Sequence, residues 1–417
     1  METLLKYGKK KLHLEIADQN YLGTLNPVEV EGVANPLAEV QRALDEPIGS
    51  ERLRKLVNAE DQVVILASDI TRPAPSHILL PPIIEELNEA GVNDEQIKVI
   101  FGLGVHRKQT EEEQKKLVGA DIYERIECID HDIDDCVDVG VTERGTEIAI
   151  FSKVLEADFL IATGNLEFHY YAGFSGGAKA LAPGVASRKT IKRNHQHSLN
   201  PQAKAGLTSG NPIREDLEEI GDMVGIDFMV NAILNSRKEA VKVVAGEITK
   251  AHRQGVDYIN DIFRLQIDEL ADIVVVSPGG APKDIDLYQT HKAMENASLA
   301  VKEGGIIVVA GECEDGLGED EFGEALLGDL SPAELVNDIK CNFVLGRHKA
   351  ARMANIHLHS EIYLVSELAE KIKESLFIKT FDELDKALDR ALEVKGAQAK
   401  ILVIPYGNST LPNYKGD

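Results

Sequence analysis

Gln62-Val-Val-Ile-Leu-Ala-Ser-Asp-Ile-Thr-Arg-Pro73 opens the pattern that decides the fold. Residues 62–67 form a short apolar run that reads as a buried parallel strand. Residues 76–90 read as a helix, which Pro81 and Pro82 must bend or restart. Lys98-Val-Ile-Phe-Gly-Leu103 and Asp158-Phe-Leu-Ile-Ala-Thr163 are the next strands. Residues 110–118 and 212–224 read as helices, the second behind an Asn211 cap with Pro212 in its first turn. This alternation predicts an α/β fold of mostly parallel sheets flanked by helices on both faces.

The same pattern restarts near residue 270. Asp272-Ile-Val-Val-Val-Ser277 is a strand, residues 284–302 a helix, Gly305-Ile-Ile-Val-Val-Ala310 a strand, and Lys400-Ile-Leu-Val-Ile404 the last one. A chain of 417 residues exceeds one ordinary core, so two domains are expected. Residues 1–268 form the first α/β domain and 269–404 the second, with 405–417 a tail able to pack back on the first. The helix-like stretch 251–271 makes the boundary a joint between packed units. A cleft between two such domains is the expected ligand site.

Hydrophobic residues make up 43% of the chain, which suits a globular protein. The formal net charge of −25 argues against nucleic-acid or anionic-membrane partners, which need a basic face. Cys128, Cys136, Cys313 and Cys341 show no C-x-x-C spacing and read as reduced thiols. The first ten residues lack the apolar core of a signal peptide, and no apolar run reaches membrane-spanning length. The expected location is the cytoplasm.

Ligands of open α/β sheets bind beyond the carboxyl ends of strands. Four expected strand ends carry polar clusters: Ser68-Asp-Ile-Thr-Arg-Pro73, Gly104-Val-His-Arg107, Gly164-Asn-Leu-Glu-Phe-His169, and, after a Pro-Gly-Gly turn, Tyr288-Gln-Thr-His-Lys292. The third runs into Tyr170-Tyr-Ala-Gly-Phe-Ser-Gly-Gly-Ala-Lys179, and Asn194-His-Gln-His197 follows. Such a loop can bring backbone N–H groups close to an anion and leave a lysine free to react. Imidazoles at 169 and 195 suit proton transfer or metal ligation. Each residue also has an ordinary reading: Asp69 as a helix cap, Arg72 in a surface ion pair, His106 as a solvated imidazole, Lys179 as a surface lysine. Protease, P-loop, Rossmann and calcium-loop signatures are missing from the sequence.

The ordered set S-D-x-T-R-P, G-x-H-R, H-Y-x-A-G-F-S-G-G-x-K, N-H and Y-Q-x-x-K, spanning residues 60–300, resembles the nickel-pincer lactate racemases and their 2-hydroxy-acid racemase and epimerase relatives. The resemblance implies a racemase or epimerase that inverts C2 of a 2-hydroxy acid, lactate or a related acid. It implies a cofactor, the nickel-bearing pyridinium-3-thioamide-5-thiocarboxylic acid mononucleotide, loaded by dedicated cofactor-synthesis enzymes. By motif position, Lys179 would be the covalent tether and His195 the protein ligand to nickel, with His197 a bystander. His106 and His169 would be the acid/base pair. Arg72, Tyr288, Gln289 and Lys292 would hold substrate, Asp69 the ribose side of the cofactor, and Ser175, Gly176 and Gly177 its face. Ala178 departs from a position that is often basic in the family. Hydride removal and return would pass through a planar 2-keto acid. The competing expectations are a binding module without turnover and an NAD-dependent oxidoreductase.

Overall fold

The computed structural model describes residues 1–414, apart from the side chain of Cys341; the last three residues of the expected tail lie outside it. The chain divides into two compact units. A central unit runs from Glu29 to Asp261, and a terminal unit joins Met1–Val28 to the chain from Ile262 onward.

The central unit holds a six-stranded sheet in the order Ala240–Gly246, Phe228–Leu234, Phe159–Asn165, Val63–Ser68, Ile97–Gly102, Glu127–Asp130. All neighbours are parallel except the antiparallel pair Ala240–Gly246 and Phe228–Leu234. Both faces are covered, as a parallel sheet requires. Val63, Ile65, Val99 and Ile161 pack on one side against the helix Ser76–Glu89, while Val64, Leu66, Ile100 and Leu160 pack on the other against Ile213, Leu217 and Ile220. The helix Ser76–Glu89 runs through Pro81 and Pro82 without restarting. The helix Pro212–Val224 starts behind the expected Asn211 cap, and Glu111–Val118 starts one residue later than expected because Thr110 is its cap.

The terminal unit holds a second six-stranded, all-parallel sheet: Lys379–Phe381, Glu361–Val365, Val301–Ala310, Ala271–Val276, Ile401–Ile404, Tyr21–Thr24. Its last strand corrects the expected domain boundary. Residues 1–28 do not belong with the first domain: Tyr21–Thr24 pairs with Ile401–Ile404, and Leu5, Tyr7, Leu14 and Ile16 enter the terminal unit's core. The tail also stays in this unit, where Leu411–Tyr414 pairs with Arg264–Ile267. The helix expected over 284–302 is shorter, Leu287–Ala297 capped by Asp286, because residues 301–302 already belong to a strand.

Candidate active site

In the central sheet, the chain leaves Val63–Ser68 toward Ile97–Gly102 on one side and returns as Phe159–Asn165 on the other. The two middle strands therefore flank a topological switch point, where open α/β sheets bind ligands. Asp69 and Arg72 follow the first of these strands, His106 follows Ile97–Gly102, and the glycine-rich loop follows Phe159–Asn165. The loops are stapled together. Ile70 N–H donates to Gln109 Oε1 (2.8 Å), and Gln109 donates from N to Asp130 Oδ2 (2.6 Å). Gly104 N–H donates to the Gly184 carbonyl (2.8 Å).

Asp69 is 2% exposed and faces His106, with Oδ2 2.5 Å from Nδ1. Its other oxygen accepts from Thr71 N–H (2.9 Å) and Oγ1–H (2.6 Å). Burial opposes ionisation of Asp69, but the hydrogen bonds from His106 and Thr71 outweigh it and hold the carboxyl below its usual range. An ionised carboxylate accepts only, so the Nδ1 of the half-exposed His106 that faces it carries a proton, which leaves Nε2 for another partner. The structure thus gives Asp69 work that its expected place beside a ribose did not include. Asp69→Asn is expected to lower turnover about 10- to 100-fold, the usual cost of losing a partner that orients a functional histidine. Thermal denaturation should also differ. A depressed carboxyl stabilises the fold above its unfolded pKa, and that contribution is lost as pH falls through the folded value, so wild type and variant should converge in acid.

The glycine-rich loop is held from beneath by Arg214, which is fully buried. Its guanidinium donates to the carbonyls of Ala172 (3.4 Å), Phe174 and Gly176 (3.4 Å). Burial lowers its pKa to about 10, still charged at neutral pH. His252 Nε2 lies 2.9 Å from the Ser175 carbonyl, and Asn231 Oδ1 accepts from Gly177 N–H (2.9 Å). Gly176 and Gly177 both have positive φ, 70° and 61°, and a Cβ on Gly176 would collide with Asn231 Oδ1. Not every amide of this turn is open to an anion. Ser175 N–H is committed to the Glu167 carbonyl and Gly177 N–H to Asn231. Ala178 is buried in the core.

Lys179, His169 and His195 converge on one side chain that the sequence reading did not single out, Tyr171. Lys179 Nζ lies 5.6 Å from its ring centroid, the His169 ring meets it edge-on at 4.4 Å, and the His195 ring at 5.2 Å. Desolvation, then the charges of Arg214 and Arg72, push the Lys179 amine well below its ordinary pKa. Desolvation, then Lys179 and Arg72, do the same to His169. His169 Nδ1 accepts from Ala172 N–H (3.3 Å), so the neutral ring carries its proton on Nε2.

His195 lies on the buried stripe Thr190, Ile191, Asn194, His195 of the helix Arg188–Gln196, which Ser187 caps. Asn194 is anchored to buried Asp216 (2.8 Å), which also accepts from Thr142 (2.6 Å) and Thr146 (2.8 Å). Desolvation and Lys179 lower the His195 pKa to about 3, partly offset by a hydrogen bond to the Ile191 backbone. His195 is neutral at any physiological pH and competent as a ligand. His197 falls past the helix end, in a separate turn. Among the described residues no group of three or more His, Cys, Asp or Glu side chains is placed to hold a metal ion.

Tyr288, Gln289 and Lys292 stand in the first two turns of the helix Leu287–Ala297 in the terminal unit. Lys292 Nζ donates to Gln289 Oε1 (2.7 Å). Lys349, also missed from sequence, is buried 3.2 Å from the Tyr288 ring centroid. Burial, then the charge of Lys292, depresses its pKa well below the ordinary value.

Residues 7–206 match the model of the lactate racemase N-terminal domain, and residues 267–411 that of the C-terminal domain. The lactate racemase of Thermoanaerobacterium thermosaccharolyticum is 32% identical over 424 residues, covering 99% of both chains. The chain belongs to the lactate racemase family. Its relatives are isomerases. The lactate racemase of Lactiplantibacillus plantarum is 32% identical over 416 residues, covering 97% of both chains. The solved structure of the T. thermosaccharolyticum lactate racemase apoprotein superposes with a TM-score of 0.91, at 31% identity, over 99% of this chain and 100% of that one. A Thermotoga maritima protein, at 17% identity and a TM-score of 0.64, shares the fold. Among the described residues no helix is long and apolar enough to cross a membrane.

Proposed function

We propose that this chain inverts C2 of a 2-hydroxy acid, lactate or a related acid, on a nickel-bearing pyridinium mononucleotide attached to Lys179. The observation that carries this reading is the pairing of a desolvated amine with a desolvated imidazole, Lys179 and His195, around one tyrosine ring in a lactate racemase family chain. The residues fit the group. A neutral amine can form the thioamide link, and a neutral imidazole is a suitable donor beside soft sulfur ligands on Ni(II). A metal on His195 would take its remaining donors from the cofactor's thioamide and thiocarboxylate arms.

When bound, the pyridinium ring supplies a hydride acceptor for a C2–H that is too weakly acidic for side-chain bases. The chain's own residues manage the proton and the geometry. His106, with Nδ1–H on Asp69, takes the substrate hydroxyl proton at Nε2. His169 holds a proton at Nε2 for return to the opposite face. Arg72 supplies a positive charge for the substrate carboxylate, and Tyr288, Gln289 and Lys292 are assigned the same task. Ser175, Gly176 and Gly177 present the loop to the cofactor. Loading depends on cofactor-synthesis enzymes, and the same reading places the protein in the cytoplasm, with Cys128, Cys136 and Cys313 as free thiols.

Racemisation in heavy water tests the reaction class. Each enantiomer of lactate, and a panel of related acids, should yield its mirror image with C2 protium largely retained, because hydride returns from where it was stored. Extensive C2 deuteration would mean a carbanion route and would overturn the hydride reading.

A further inference from the structure

Tyr171 occupies the variable position of the H-Y-x-A-G-F motif, so nothing in the motif assigns it a task. It is 5% exposed, and its backbone carbonyl is pinned by Asn211 Nδ2 (2.9 Å). Its hydroxyl lies 2.6 Å from His195 Nε2. Nε2 is the ring nitrogen that meets the phenol, so the contact either spends its lone pair on the phenol proton or holds a proton there against the phenol oxygen. A metal binding His195 through Nε2 has to displace that contact.

We infer that Tyr171 is a positioning residue for metal capture: its hydroxyl caps the ligating nitrogen of His195 and competes with nickel for it. This rests on the assignment of His195 as the nickel ligand. Two effects oppose each other. The cap orients the imidazole, which favours capture, and it occupies Nε2, which disfavours retention. The imidazole keeps its place on the buried stripe of its helix without the phenol, so competition outweighs orientation. Removing the hydroxyl alone leaves the ring packed against Lys179 and His169.

Holoprotein co-expressed with the cofactor-making enzymes should therefore lose nickel to excess EDTA about two- to tenfold more slowly as Tyr171→Phe, the span of one neutral hydrogen bond. Its covalent mass increment should match wild type. In cofactor-free protein, the His195 Nε2 nitrogen resonance should shift in Tyr171→Phe as the cap is lost. A residue that merely supported the fold would give faster loss. Equal or faster loss, or an unmoved resonance, would refute the cap. His195→Ala separates this from the ligand assignment. If that variant keeps its nickel, the assignment fails and the inference with it; if it loses nickel while Tyr171→Phe behaves as wild type, only the inference fails.

Discussion

Lys179→Ala should abolish both the covalent mass increment and all racemase activity. A lysine charged at neutral pH is no nucleophile, and bond formation from it would be slow. Burial, followed by Arg214 and Arg72, holds this amine well below its ordinary pKa, which favours its neutral, nucleophilic form. Lys179→Arg should fail as completely, because a guanidinium keeps its charge and cannot form the link. Intact-mass analysis of protein co-expressed with the cofactor-making enzymes checks both variants, and an equal increment on Lys179→Ala would remove the tether from the mechanism. The apo variants supply an independent reading of the same charge. A lysine whose folded pKa is depressed binds fewer protons folded than unfolded, between that folded value and about 10.4. Wild-type stability should therefore rise with pH across that window, and Lys179→Ala should lack the rise. The alanine variant should be at least as stable as wild type at neutral pH, since it no longer buries an amine that prefers water.

The second large effect is expected at the histidine pair. His106→Ala and His169→Ala should each retain nickel and the mass increment yet lose about two to four orders of magnitude in turnover, the scale of general acid/base groups. A full inversion needs one residue to receive a proton and another to deliver one, so either loss breaks the cycle. The double variant should then be little slower than the worse single one, because groups that act as a unit are not additive. Their settings predict an asymmetry in sensitivity. His106 leans on a carboxylate, and His169 sits beside Lys179 and Arg72. Asp69→Asn should therefore mimic a weakened His106 variant and leave the chemistry of His169 intact. Full additivity of the two alanine changes would mean that the residues work on separate steps.

Both α/β units could be read from the chain because buried parallel strands announce themselves locally, as continuous apolar runs such as Val63–Ser68 and Ala271–Val276. The site candidates in the central unit stood out for a related reason: all but His195, which lies on a helix, sit in the segments that follow a strand the sequence already marks. What stayed hidden depends on pairing across long separations. Tyr21–Thr24 is only four residues long and half-buried, and its partner strand begins at Ile401. Arg214 sits inside the helix Pro212–Val224, where spacing alone suggests a surface position. Tyr171 could have been flagged by its crowding among His169, Tyr170 and the loop glycines, although its partner His195 lies on a later helix. Lys349 reads as an ordinary helix lysine until the fold sets it beside Tyr288.

The strand Tyr21–Thr24 has a consequence for biosynthesis. It leaves the ribosome early, but the strand it completes is about 380 residues further along. At ordinary elongation rates it waits roughly 20 to 75 s for that partner. Meanwhile every strand of the central unit's main sheet has been made, so that unit can fold on the ribosome while Tyr21–Thr24 waits unpaired and the hairpin before it leaves Leu5, Tyr7 and Leu14 uncovered. Nascent chains should accordingly recruit a holding chaperone at their amino end for most of translation. A bulky fusion placed there should hinder closure of the terminal unit while sparing the central one.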